Sequence, residues 1–140
     1  MKCLVVEDDF ISRRILISLL SPYFGCDVAV DGEEAVHAFT MSMKSGDRYE
    51  LVCLDIIMPK MDGQQALKRL RELEREYGIG PSQASKVIMT TAVEDPKAVL
   101  GAFYKGGATA YLVKPISKVK LLAELGSLRL LGAGEIAAQL

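Results

Sequence analysis

The chain has 140 residues, half of them hydrophobic and 25% charged, with a formal net charge of −1. That length suits one domain able to withdraw roughly two thirds of its surface from water, and the balance excludes a disordered or fibrous chain. The small net charge offers no bulk attraction to nucleic acid or to an anionic membrane, and no apolar stretch approaches a bilayer span.

In chain order, five short apolar runs have strand length: residues 3–6, 26–30, 51–54, 87–91 and 109–113. Segments with helical spacing separate them, as with Val36, Phe39 and Met43 after the second run, and Ala66, Leu70, Leu73 and Tyr77 after the third. Asp31 with Glu34 and Asp62 with Gln65 have the spacing of capping boxes, Asp95 before Pro96 reads as an N-cap, and Ser117 caps the last helix. Gly25, Gly46, Gly78, Gly80 with Pro81, and Gly106 with Gly107 mark the returns to strand. The pattern is βα repeated five times. Strands that read as continuous apolar runs between helices predict an α/β fold, a doubly wound parallel sheet covered on both faces.

The opening residues MKCLVVEDD turn acidic too early for a signal peptide, so the expected location is cytoplasmic. Cys3, Cys26 and Cys53 lack metal-type spacing and read as reduced thiols used as small hydrophobes. His37 is the only histidine and is expected on a helix surface, without a second ligand for a metal.

In parallel sheets of this kind ligands gather outside the carboxyl ends of the strands. The first run ends in Glu7, Asp8 and Asp9, the third in Asp55, the fourth in Thr90 and Thr91, and the fifth in Lys114 before Pro115. Singly, each has a plain account: acids cap helices, threonine favours strands, lysine is solvated, and Asp55 can open the turn before Pro59. If strands one, three, four and five are neighbours, the carboxylates converge and repel, which calls for a cation among them. Oxygen-only ligands beside a phosphate suit Mg²⁺.

The stretches LVVEDD, LDIIMPKMDG, VIMTTA and YLVKP, in this order on five βα units, resemble the receiver domain of two-component response regulators, over roughly residues 2–130. The resemblance implies a flavodoxin-like sheet of strand order 2-1-3-4-5. It implies that Asp55 accepts a phosphoryl group from a phosphohistidine on a sensor histidine kinase or a histidine phosphotransfer protein. Glu7, Asp8, Asp55 and the carbonyl of Ile57 would hold Mg²⁺, with Glu7 acting mainly through water. Thr91, an amide near Ala92 and Lys114 would hold the phosphoryl oxygens, and the bond before Pro115 would be cis. Thr91 and Tyr111 would form a switch that biases a surface of the fourth helix, fifth strand and fifth helix toward a downstream effector protein. The family chemistry is self-phosphorylation and autodephosphorylation within a signalling module, not turnover of outside substrates.

Departures from the pattern are expected to lie away from the site. The stretch LRELEREYGIGPSQASK, residues 70–86, lengthens the third helix or its exit, and the loop at 44–48 is slightly enlarged. Ile57 and Val93 flank the expected phosphoryl pocket as apolar, β-branched residues and are expected to obstruct attacking water, giving a long-lived acyl phosphate. Residues 1–131 would form the receiver and 132–140 a short tail, with Gly132 and Gly134 ending or fraying the helix and residues 136–140 loose. No DNA-binding module is visible, leaving a stand-alone receiver or a piece of a larger regulator, and a homodimer remains an open alternative. Two other readings stay in view: a pseudo-receiver that only scaffolds, and a Mg²⁺-dependent aspartyl phosphohydrolase. The second usually needs an acid two residues past its nucleophile, where this chain has Ile57.

Overall fold

The computed structural model describes residues 1–58, 60–92 and 107–139. Pro59, Val93, the helix start expected at Asp95 and Pro96, the fourth helix itself, Gly106 and Leu140 lie outside the described residues. Five strands, β1 (Lys2–Val6), β2 (Gly25–Ala29), β3 (Leu51–Asp55), β4 (Lys86–Thr91) and β5 (Ala110–Val113), form one parallel sheet of order β2-β1-β3-β4-β5. Helices α1 (Phe10–Leu20), α2 (Gly32–Ser45) and α3 (Gly63–Glu76) alternate with the first strands, and α4 (Lys118–Ser127) and α5 (Ala133–Gln139) follow β5. Here α4 is the helix anticipated as the fifth. The fold class expected from the run of strands and helices is therefore the one observed.

Alternation along the pleat divides the core in two. Leu4, Val6, Val52, Leu54, Val87 and Met89 face α2 and α3, meeting Phe39, Leu67 and Leu70. Cys3, Val5, Leu51, Cys53, Ile88 and Leu112 face the other way, meeting Leu16 and Leu20 of α1 and Leu121, Leu122 and Leu125 of α4. Both faces of β1, β3 and β4 are covered, which is why residues 3–6, 51–54 and 87–89 are apolar without interruption.

The helix starts follow their caps. Asp62 accepts from the Gln65 amide at 2.9 Å while the Gln65 side chain accepts from the Asp62 amide at 3.1 Å, a complete box. At α2 only half of the expected box forms: Asp31 accepts from the Glu34 amide, but the Glu34 carboxylate reaches one residue further back to the Val30 amide. Ser117 caps α4, and Asp9 caps α1 through the Ser12 amide at 2.8 Å.

Two local expectations are corrected, and one pair of alternatives is decided. Tyr77 does not join the buried face of α3; it is the C-cap and is 42% exposed, because the helix stops at Glu76. The added length of residues 70–86 lies in the exit, which carries a 3₁₀ turn at Pro81–Gln83. Buried Glu74 anchors that exit by accepting from the Ser85 amide at 2.7 Å and from Arg71 at 2.6 Å, and Arg71 also donates to the carbonyls of Ser85 and Gly107. The tail does not fray: residues 133–139 are helical, and Ile136 packs on α4, where a Cβ at Gly126 would stand only 2.7 Å from its tip. Gly126 gives Ile136 its seat.

Candidate functional site

Sheet register brings the predicted residues to one edge. Val6 pairs with Leu54, so Glu7 follows beside Asp55, and Asp55 pairs with Thr90, so Thr91 is one step beyond it. Thr91 pairs with Val113 and its carbonyl accepts from the Lys114 amide at 2.7 Å, which extends the ladder to the lysine. The Lys114–Pro115 peptide bond is cis.

Glu7, Asp8 and Asp55 offer ligand oxygens that all lie within 4.8 Å of one another, the one such grouping among the described residues. Glu7 is fully buried, Asp55 is 5% exposed, and Asp8 faces solvent. The Lys114 ammonium contacts Glu7 Oε1 and lies 3.1 Å from Asp55 Oδ2. The other Glu7 oxygen, Oε2, is buried with no hydrogen-bond partner. Burial first, then hydrogen bonding and repulsion from Asp55, push the Glu7 carboxyl up from 4.5 to about 7, against the opposing pull of Lys114. Burial alone would lower the Lys114 ammonium, but its bond to Glu7 and the charge of Asp55 outweigh that and raise it.

Other residues of the prediction are placed as follows. Ile57 is 67% exposed and its amide donates to Asp55 Oδ1 at 3.3 Å, so it stands at the rim. Ala92 is exposed at the end of β4, Thr91 is buried, and Tyr111 on β5 is 39% exposed opposite Met89. Asp9 is spent on its cap and stays out of the cluster. Val93 lies outside the described residues.

Sequence reasoning missed three contributors. Arg13 donates to the carbonyl oxygens of Glu7 at 3.0 Å and Asp8 at 3.4 Å, which holds the acidic turn against α1. Gly63 lets α3 start against β3: a Cβ there would lie 2.1 Å from the Asp55 carbonyl oxygen. Phe10, Ile11 and Ile15 leave an apolar patch on α1, exposed by 60%, 68% and 40%, directly after the acidic turn. The signal for the patch was legible, since FISRRILISLL holds more apolar residues than the single stripe of Leu16 and Leu20 can bury.

The donor set fits a hard divalent cation: three carboxylates and no softer ligand, with one buried oxygen left unpartnered.

The response regulator receiver domain family matches residues 3–126. The chain belongs to that family. Receiver domains are signalling modules, and this one is 35% identical to the chemotaxis protein CheY of Treponema pallidum over 128 residues, covering 90% of this chain and 81% of that protein. Its fold is similar to the CheX–CheY–BeF₃–Mg²⁺ complex from Borrelia burgdorferi, with a TM-score of 0.78, 30% identity, and coverage of 92% of this chain and 89% of that one. It is also 35% identical to the hybrid signal transduction histidine kinase L of Dictyostelium discoideum over 86% of its own length, but spans only 7% of that protein. The receiver domain contains no described helix long and apolar enough to cross a membrane.

Proposed function

We propose that the chain is a cytoplasmic phosphoacceptor in which Asp55 takes a phosphoryl group from a phosphohistidine on a sensor histidine kinase or histidine phosphotransfer protein. The observation that carries this is the meeting of Asp55 with Glu7, Asp8 and Lys114 at the sheet edge. An Asp55 oxygen attacks phosphorus, the P–N bond breaks, and the imidazole leaves to be protonated. Such transfers need positioning and charge neutralisation more than proton transfer. Lys114 holds one phosphoryl oxygen, and the Thr91 hydroxyl with the Ala92 amide holds another. Glu7, Asp8, Asp55 and the Ile57 carbonyl would hold Mg²⁺, which would neutralise charge on the remaining oxygen. Exposed Ile57 screens the acyl phosphate from water. Thr91 and Tyr111 then report the new charge to β5, α4 and the segment 93–106, altering affinity for an effector protein.

The decisive experiment supplies Mg²⁺ and phosphoramidate and follows the intact mass. One phosphoryl group per chain is expected; continuous phosphate release without an adduct would mark a hydrolase, and no adduct a scaffold.

The exposed Phe10, Ile11 and Ile15 patch on α1, beside the acidic turn, offers the phosphohistidine carrier an apolar seat. Phe10→Ala with Ile11→Ala is expected to slow transfer from a phosphohistidine protein at least ten-fold. The rate with phosphoramidate should stay within two-fold, measured on the same preparations.

Mg²⁺ binds the native cluster and not the unfolded chain. At ten times its dissociation constant it should add about 1.4 kcal/mol, or roughly 5 °C in melting temperature. Asp8→Asn should remove most of that rise. Because folding lifts the Glu7 carboxyl from 4.5 to about 7, its contribution to the metal-free fold is complete below pH 4.5 and is lost as pH climbs through 7. The Mg²⁺-induced shift should accordingly be larger at pH 8 than at pH 6, and Glu7→Gln should flatten the metal-free melting profile between those values.

A further inference from the structure

Three thiols lie on three neighbouring strands, two of which, β1 and β3, end in the acidic site. Cys3 on β1 pairs in register with Cys26 on β2, while on its other side Cys3 pairs with Leu51, which puts Cys53 one pleat along β3. All three belong to the face covered by α1 and α4. Cys3 and Cys53 are buried, whereas Cys26, on the edge strand, is partly exposed. The Cys3 thiol interacts with both neighbours. The three do not form a compact metal grouping, so they make a row and not a cage.

Register partners on adjacent strands stand about 4.8 Å apart, inside the roughly 4.4–6.8 Å of Cα separation a disulfide accepts, and closing the bond requires the two Cβ atoms to draw in to about 3.8 Å. Both side chains leave the sheet on the same face. We propose that Cys26 and Cys3 are a peroxide-reactive dithiol, Cys26 as the entry thiol and Cys3 as the resolving thiol, that closes a disulfide between β1 and β2. The Cys26 thiolate attacks an oxygen of hydrogen peroxide, the O–O bond breaks, and a sulfenic acid and hydroxide form. The Cys3 sulfur then attacks the Cys26 sulfur, the S–O bond breaks, and the departing hydroxide leaves as water with the Cys3 proton. Two thiols have lost two hydrogens, and one peroxide has become two waters. The neighbouring Cys3 thiol draws the Cys26 thiol below its ordinary value while Cys26 raises that of Cys3, in keeping with the two roles, and the Cys26 thiol donates to the Phe24 carbonyl oxygen at 3.7 Å. Cys53, buried behind Cys3, has no exposed route to the oxidant.

The test treats the whole native chain with hydrogen peroxide, blocks remaining thiols by alkylation after unfolding, and maps peptides without reduction. One intramolecular Cys3 to Cys26 link is expected, with Cys53 fully alkylated. Cys26→Ser should give no disulfide, and Cys3→Ala should leave a Cys26 sulfenic acid that dimedone traps. Because Cys3→Ala opens a buried gap, the wild-type map decides by itself. Three alkylatable thiols after peroxide, a Cys26-linked dimer, a Cys26 sulfinic acid beside a free Cys3, or a link to Cys53 would each overturn the assignment.

Discussion

Asp55→Asn is expected to gain no phosphoryl group from phosphoramidate and Mg²⁺, while the wild type should gain one per chain. The amide keeps the shape of the carboxylate but has neither its nucleophilic oxygen nor its charge. Loss of fold does not account for the result, because the substitution removes one of the carboxylates crowding Glu7 and so relieves the repulsion that lifts its carboxyl. A thermal melt without Mg²⁺ should show Asp55→Asn at or above the wild type. Lys114→Met acts differently. It leaves Asp55 competent but takes away the ammonium 3.1 Å from it, so the rate should fall by about 10²-fold, the usual cost of losing one preorganised charge. It also strips buried Glu7 of its counter-charge, and this variant should melt lower than the wild type at pH 8. An adduct on Asp55→Asn would remove Asp55 from the chemistry.

Gly63→Ala is expected to be the most damaging glycine-to-alanine change among the described residues. The added carbon would lie 2.1 Å from the Asp55 carbonyl oxygen and 2.8 Å from the Ile56 Cα, both backbone atoms of the strand end that carries the proposed acceptor. Neither can swing aside as a side-chain tip can, so α3 or the end of β3 must move. Overpacking of this kind costs about 1–3 kcal/mol, and here it also displaces Asp55 from Lys114. Denaturant melts should show that loss, and phosphorylation should fall beyond what the unfolded fraction explains. Gly80→Ala is the control: it sits in the exit of α3 with nothing within 4 Å, and should match the wild type in both measurements.

The parallel sheet was readable because β1, β3 and β4 are buried on both faces and apolar through their middles, whereas the strand order came only from the resemblance to receiver domains. The acidic site was readable because parallel strands deliver their last residues to one edge, which turns distant stretches into neighbours. What could not be read depends on distances between elements. Nothing in the spelling of Gly63 says that the Asp55 carbonyl fills the space of its missing side chain. Nor does Arg13 announce its bond to the Glu7 carbonyl, since an arginine on an early helical turn is ordinarily solvated. The tail was misread for the same reason. Its two glycines argue against a helix locally, and only the fit of Ile136 over Gly126 outweighs them.

The Arg71 and Glu74 anchor has a practical corollary. It clamps the chain at Ser85 and Gly107, ahead of β4 and β5, at the pole of the sheet remote from Asp55. Residues 77–84 thus form a tethered handle, mostly solvent-facing, with Ile79 turned back onto the core and the Gln83 carbonyl held by Arg48. A fluorophore or affinity peptide grafted at Gly80 would ride on the molecule without perturbing either pole's wiring.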